Sequence, residues 1–493
     1  MTGLKIFNTL SGKKEDFQTI TPGKVLMYAC GPTVYDLSHL GHARMALTFD
    51  VIQRYLRFVG YDVTFVRNIT DIDDKIINRA KEIGVLPEQL SRRFTYTFWK
   101  DMDDLNSSSP DIEPRATEYI QQMIQFAEEL VKKGFAYESG GDVYFDVQSF
   151  KQYGELKKQS LDDLLSGARE QVRSQNELKD LKKNPVDFAL WKSTAKTETG
   201  WQSPWGWGRP GWHLECSSMI KNVLGVSIDI HGGGEDLVFP HHENEKAQSE
   251  ALHGKPLARY WIHNSFVQVE SEKMSKSLGN FQTIQNVLAN YSADAIRLFV
   301  LQTHYRSPIE FNTESMEAAR AGTARLLRAA RHAKTEEGHD SNGTSNGKFQ
   351  KYLTADHKCM QALRDDAKAG EAIKKLHDDF TEAMNNDFNT PQAISALFQM
   401  ADLVFTTKDE QIASMYAAAI KAYAAVLGLR LSDTAKIIDT ETGAQLVERM
   451  LDLRDQARAN KDYKQSDLIR DTLANLGIKV MDVKGARAVW EKE

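Results

Sequence analysis

Three groups of residues have types and spacings that could do chemistry. The first is Leu37-Ser38-His39-Leu40-Gly41-His42, with two histidines at i and i+3. At the start of a helix both imidazoles could face one anion, where free N–H groups and the helix dipole favour phosphate. Gly41 between them weakens a helix but lets a flat ligand such as a purine approach the backbone. The second group is dispersed: Cys30, Cys216, and the run Pro240-His241-His242-Glu243-Asn244-Glu245. Thiolate, imidazole and carboxylate together are good zinc ligands. His241 and Glu245 stand at i,i+4 and would share a helix face, while His242 competes at i,i+3. Residue types alone leave a second reading open, two buried free thiols. The third group is Lys273-Met274-Ser275-Lys276-Ser277. Such a run is ordinarily solvated surface, but a lysine there could also meet charge developing on a phosphate.

These residues need elements to hold them. Val25 to Cys30 is an apolar run ending in the first cysteine. Ala43, Leu47, Val51, Tyr55 and Val59 recur every fourth residue, which predicts an amphipathic helix, with Gly60 just past its end. Asp62 to Arg67 is β-branched and reads as a second strand. Strand, helix, strand makes a right-handed parallel βαβ unit, whose ligands lie beyond the carboxyl ends of the strands. That edge carries Cys30, His39, His42 and the aspartate-rich Asn68–Asp74, read as polar cleft or solvated loop. Val226 to Ile230 reads as a further strand, closed by His231-Gly232-Gly233-Gly234, and Pro240 suits the first turn of the next helix. Five of the eight tryptophans and six of the thirteen histidines fall between Trp201 and His263, which places this stretch at the cleft. Helices are also expected over Glu88–Phe98 after Pro87, over Thr117–Lys133, after the cap Ser292, and through most of 320–430; Asp142–Val147 alternates like a strand. A Gly/Ser/Asn-rich stretch over 337–347 reads as a linker, Val447–Leu476 as a helical pair, and the tail as short extended pieces.

Composition sets the outer limits. A chain of 493 residues implies several domains. No apolar run approaches the ~18 residues of a membrane span, so no membrane partner is expected. Three cysteines exclude a disulfide framework and point to a reducing cytoplasm. Cys359, in an expected helix, reads as a core residue. A net charge of −6 argues mildly against nucleic acid, although a local basic strip would suffice.

The motifs resemble a known family. His39-Leu40-Gly41-His42 and Lys273-Met274-Ser275-Lys276-Ser277, in this order, resemble the HIGH and KMSKS motifs of class I aminoacyl-tRNA synthetases. Tyr28 to Asp36, Arg67 to Lys75 and Gly211-Trp212-His213-Leu214-Glu215-Cys216 resemble the cysteinyl-tRNA synthetase family in particular, and the similarity runs from Leu4 nearly to the C-terminus. The resemblance implies an α/β fold: a Rossmann-like parallel-sheet catalytic domain with an inserted connective domain, then an α-helical bundle and a small C-terminal domain. On this reading 1–120 and 201–265 are the catalytic halves, 121–200 the insertion, and 266–320 the KMSKS and stem-contact region. Residues 321–430 form a tRNA-binding bundle and 445–493 an anticodon-binding domain.

The implied activity is ATP-dependent ligation of L-cysteine to its tRNA through an adenylate. His39, His42, Lys273 and Lys276 would be catalytic, and Gly41, His39, His42 and Lys276 would contact ATP, with which Mg2+ is expected. Gly31, Thr70, Trp212 and Asp236 would hold the amino acid. Cys30, Cys216, His241 and Glu245 would bind one Zn2+ per chain. Arg458, Tyr463, Asp467 and Asp482 match positions that face the anticodon; Tyr463 stands where the family often has tryptophan. No editing site is evident, and a monomer in the cytoplasm is expected. Two rivals remain: a ligase joining cysteine to an amino-sugar, which should lack the long C-terminal part, and a non-catalytic RNA-binding paralogue, which should have lost motif residues.

Overall fold

The computed structural model describes residues 3–160, 181–269, 272–273, 281–333, 369–432, 440–475, 478–481 and 489–492. Lys276, Cys359, Asp482 and the 337–347 stretch lie outside the described residues. Two compact units divide the chain, Met1–Leu431 and Ser432–Glu493.

At the centre of the first unit is a parallel sheet of β1 (Lys24–Ala29), β2 (Asp62–Arg67), β3 (Ile228–Gly234) and β4 (Ala258–Asn264), in the order β4-β3-β1-β2. Such a sheet is covered on both faces, so its strands are buried nearly throughout, polar residues such as Asp229, His231 and His263 included. The expected helix between β1 and β2 is α1 (Leu40–Phe58), which ends at Val59 with Gly60 at φ +99°. It is buried around most of its circumference, Arg44, Asp50 and Arg54 included. Amphipathic spacing reveals one buried face; the opposite face is covered here by helices far along the chain.

The inserted region forms an antiparallel sheet of five strands, from Ala136–Ser139 to Gly206–Pro210, with its own core around Met123, Phe126, Phe145 and Trp191. Its last hairpin contains Trp201, Trp205 and Trp207. Those three tryptophans therefore stand in the inserted sheet rather than at the cleft, because their backbone hydrogen bonds run to that sheet.

Other expectations shift by a few residues for local reasons. The Asp142 strand stops at Phe145, where the Asp146 carboxylate accepts from Gln148 N and starts a turn. The helix expected from Thr117 opens as a 3-10 turn, Ala116–Tyr119, and becomes α-helical over Ile120–Lys132. The three glycines after His231 lie inside β3, in register with Ile262, His263 and Asn264. Pro240 keeps its expected place: Phe239 just before it is extended at φ −142°, helical backbone resumes at Pro240, and the α-helix proper runs over Glu243–His253.

Beyond the cleft, Val267–Val269 pairs with both Glu272–Lys273 and Ile309–Glu310. Helices Gly370–Asn385, Thr390–Thr406 and Glu410–Val426 share one continuous core with α1 and the helix Ala293–Leu301. The second unit packs helices Thr440–Ala459 and Tyr463–Asn475 through Val447, Leu451, Ile469 and Leu473, beside a hairpin of Ile478–Met481 and Val489–Lys492.

Candidate active site

The carboxyl edge of β1 and β3 brings the dispersed thiols, imidazoles and carboxylate together. Cys30 Sγ lies 3.7 Å from Cys216 Sγ and 3.4 Å from Glu245 Oε1. Cys216 Sγ is 3.6 Å from His241 Nε2, which is 2.6 Å from Glu245 Oε1. All four side chains are buried, and their ligand atoms lie within 4.8 Å of one another. Cys216 sits in the helix Trp212–Val223 and Glu245 in the first turn of Glu243–His253, while His241 belongs to the turn before it.

A second donor set shares two of these residues: Cys30, His231, His242 and Glu245. His231 Nε2 is 2.5 Å from Glu245 Oε2. His242 Nε2 is 3.2 Å from Cys30 Sγ, its Nδ1 is 2.8 Å from His263 Nε2, and His263 Nδ1 is 2.8 Å from Thr9 Oγ1. Protons run consistently along this chain when Thr9 donates to His263, His263 to His242, and His242 to the thiol sulfur. His241 has its own partner behind it, His213, at 3.1 Å between δ-nitrogens. His231, His213 and His263 escape sequence reasoning because their partners stand on other elements, 14 to 254 residues away; the histidine density of the stretch is the one signal.

The electrostatics of the cluster are those of anions crowded together. Burial, the Cys216 sulfur and the Glu245 carboxylate all push the Cys30 thiol well up. Burial acts the same way on Cys216, but its hydrogen bond from Cys30 and the His241 imidazolium bring it down to about 7. Burial would lower His241, and Glu245 and Cys216 instead hold it up at about 10. Burial opposes ionisation of Glu245, yet His241 and His231 keep its carboxyl well below the usual range. Burial and neighbouring imidazoles hold His213 and His242 neutral, and bring His263 to about 3.

The expected amino-acid residues surround this cluster. Trp212 stacks on His241 with ring centroids 4.1 Å apart. Thr70 is buried and donates to Glu215 Oε2 at 3.2 Å, and accepts from Asn68 Nδ2 at 3.2 Å. Gly31 N donates to Asn68 Oδ1 at 2.8 Å, and a Cβ on Gly31 would fall 1.7 Å from the Asn68 carbonyl oxygen, so only glycine fits there. Asn68 and Glu215 are thus structural members of the site that spacing did not single out. Burial, with Cys216 and Asp73 nearby, raises the Glu215 carboxyl well above its ordinary value. Asp236 is exposed, in the turn after β3. The three aspartates after Asn68 are engaged within the fold: Asp71 with Thr117, Asp73 as cap of Asp74–Ile83, and Asp74 with Lys192 and Arg209.

His39 and His42 cap α1 reciprocally. His39 Nδ1 accepts from Gly41 N at 3.0 Å, and His42 Nδ1 accepts from His39 N at 3.2 Å. With both δ-nitrogens accepting, the protons belong on the ε-nitrogens, and the rings lie 4.0 Å apart. A Cβ on Gly41 would come 2.8 Å from the His39 ring, so the space beside Gly41 holds that imidazole. Lys273 lies in a short strand paired with Val267–Val269. In the second unit Arg458, Tyr463 and Asp467 are exposed; Tyr463 shows 62% of its surface, and Asp467 pairs with Arg470 at 3.2 Å.

Comparisons with known proteins agree with this geometry. Residues 16–321 match the family described as tRNA synthetases class I (C) catalytic domain, and residues 379–432 match the DALR domain. A cysteine–tRNA ligase of Geobacter sulfurreducens is 47% identical over 97% of this chain and 98% of its own length. One of Magnetococcus marinus is 47% identical over 97% and 96%. Among solved structures, a Mycobacterium tuberculosis methionyl-tRNA synthetase in complex with methionyl-adenylate superposes with a TM-score of 0.53 at 16% identity, covering 84% of this chain and 93% of that one. A leucyl enzyme of Agrobacterium radiobacter in a ternary complex gives 0.55 at 13% identity, covering 84% and 86%. At such identities the likeness is one of fold, and the fold is that of class I synthetases.

Proposed function

This chain belongs to the cysteine–tRNA ligase family of class I aminoacyl-tRNA synthetases, and we propose that it charges tRNA with L-cysteine through a cysteinyl-adenylate. ATP, the amino acid and tRNA are the substrates. The substrate carboxylate attacks the α-phosphate, pyrophosphate leaves with its Mg2+, and a ribose hydroxyl at the tRNA 3′ end then attacks the acyl carbon and releases AMP. Catalysis of the first step is positioning and charge stabilisation. The His39 and His42 ε-nitrogens donate to the triphosphate, with Gly41 beside them, while Lys273 and Lys276 meet the leaving pyrophosphate.

The observation that carries the cysteine assignment is the buried set Cys30, Cys216, His241 and Glu245. Two thiolates on one tetrahedral zinc, with bonds of ~2.3 Å, stand roughly 3.8 Å apart, and these sulfurs are 3.7 Å apart. The crowding that raises the Cys30 thiol is what a divalent cation relieves. His241 is preferred to His242 because His213 can accept from its Nδ1, the usual support for a ligating imidazole, whereas the chain from Thr9 has His263 donating to His242 and leaves the His242 Nε2 protonated. Bound zinc would offer a soft thiol a position that the hydroxyl of serine fills badly, which removes the need for editing. Gly31, Thr70, Trp212 and Asp236 orient the rest of the amino acid. The domain division set out above goes with this reading, residues 321–430 and 445–493 contacting tRNA through Arg458, Tyr463, Asp467 and Asp482 among others. The test is cysteine-dependent ATP–pyrophosphate exchange, with and without tRNA: exchange that serine does not support is expected, and its absence from zinc-loaded protein would overturn the reading.

A further inference from the structure

The run Asp387-Phe388-Asn389-Thr390-Pro391 joins helices Gly370–Asn385 and Thr390–Thr406, far along the chain from the motifs of the cleft. Asp387 is fully buried, and both it and Phe388 take left-handed backbone conformations, at φ +64° and +51°. A buried carboxylate persists only with its acceptors satisfied. Oδ1 accepts from Phe7 N at 2.8 Å and from the Tyr305 hydroxyl at 2.7 Å. Oδ2 accepts from Arg306 Nε at 2.8 Å. The Asp387 N–H donates to the Lys5 carbonyl at 2.9 Å, and its own carbonyl lies 3.0 Å from His304 Nε2. The residue therefore clamps the turn His304–Ser307 from its side chain and its backbone at once.

That turn is also where the catalytic helix is fastened. Arg44, two residues after His42 and buried, donates to the carbonyls of His304 at 3.4 Å and Tyr305 at 3.3 Å, and also to those of Ser307 and Phe266. Directly after the turn, Ile309–Glu310 pairs with Val267–Val269, whose other neighbour is Glu272–Lys273. One clamped turn thus supports both the α1 N-terminus with His39 and His42 and the strand that leads into the lysine motif.

We propose that Asp387 is a positioning residue for adenylate formation, setting the His304–Ser307 turn and through it the spacing of the histidine and lysine motifs across the triphosphate. The inference rests on the ligase reading above. It assigns to the helical region, expected to serve tRNA, a part in a step that needs no tRNA. A displacement of the order of 1 Å in such groups can cost ~10²-fold in rate.

The test uses the full-length, zinc-loaded chain, with exchange rates divided by the number of active sites from an adenylate burst. Asp387→Asn should lower kcat for exchange by about 10-fold or more, with cysteine KM and zinc content unchanged. Tyr305→Phe, which removes one of its donors, should act in the same direction more mildly, and the double variant should fall short of the product of the two effects. Asp294→Asn supplies the comparison: that buried carboxylate also ties the helical region to the catalytic part, through Arg430 N and Leu431 N at 2.9 Å, but makes no hydrogen bond to the turn among the described residues. It should lower Tm and leave kcat per site unchanged. If Asp387→Asn keeps kcat per site within twofold, Asp387 only holds the fold together and the inference fails; should that variant not fold, Tyr305→Phe decides in the same terms. Wild-type protein without cysteine-dependent exchange would sink the ligase reading instead, a separate outcome.

Discussion

Against the opposing effect of burial, the hydrogen bond from Cys30 and His241 bring Cys216 down to about 7, so near neutrality about half of it is already the thiolate a metal needs. Cys216→Ser replaces that soft donor with a hydroxyl that stays protonated. Zinc content should fall from one per chain toward zero and cysteine KM should rise by at least ~10-fold, as for loss of a ligand or its support. ATP KM should stay within about twofold, because His39 and His42, proposed to face the triphosphate, are fixed by backbone groups of α1 and not by the thiols. Metal analysis beside exchange kinetics checks both; retained zinc would mean that the second donor set, with His231 and His242, is the binding one. The residues that form the first set were legible as types and, through the family resemblance, as positions. Asn68, Glu215 and the histidines behind the ligands were not. Their roles come from hydrogen bonds across the sheet edge, and neither periodicity nor spacing encodes a partner in a different element.

Elements were legible where a local rule decides them. Apolar spacing located α1, and a positive φ placed Gly60 at its end. Pro240 marked the start of the helical backbone after β3, since Phe239 before it is extended, but no pattern showed that Trp201, Trp205 and Trp207 belong to the inserted sheet. Burial of charge inside an element is likewise invisible in a pattern. Asp101, on the helix Pro87–Asp104, is buried; Oδ1 accepts from Gln285 Nε2 at 3.3 Å, and Oδ2 has no partner among the described residues. Burial raises its carboxyl to about 6. The folded-state value then lies above the unfolded one of about 3.9, so between those values the folded chain binds more protons than the unfolded chain. Stability from this group is greatest at low pH and is lost as pH rises from about 4 through 6. Asp101→Asn removes the titration. Relative to the variant, wild type should lose stability between pH 4 and pH 7, by at most about 3 kcal/mol at ~1.4 kcal/mol per unit. Denaturant midpoints at the two pH values check this, and a difference that stays constant or grows in the opposite sense would contradict it.

At the scale of the whole chain, sequence patterns marked helical stretches but not where one packed body ends. A boundary drawn near residue 320 falls inside the helix Thr313–Ala330, and the helices up to Val426 share the core of α1. Shared burial is a property of the folded chain; a linker-like composition does not report it. The compact unit ends at Leu431, and that is where the chain can be cut with its core whole. If residues beyond it read the anticodon, protein ending at Leu431 should still bind zinc and support exchange within about twofold, since Asp387 and every cleft residue remain. Transfer to tRNA should fall by ~10²-fold or more in kcat/KM, given ~1–3 kcal/mol for each lost base contact, and mainly through tRNA affinity. Point changes should do the same in milder form. Tyr463 is open on the surface and can stack a base, so Tyr463→Trp should preserve charging and Tyr463→Ala weaken it. Asp467 is paired with Arg470 before any tRNA arrives, so a base amino group must replace that partner. Asp467→Asn should therefore relax discrimination at one anticodon position while leaving the salt dependence of binding unchanged. Arg458→Ala should reduce that salt dependence if it meets a phosphate, or relax discrimination at one base if it meets a base edge. Charging by the shortened chain at the full-length rate would remove the second unit from tRNA recognition, and the zinc and phosphate groups of the first unit would keep their assigned roles.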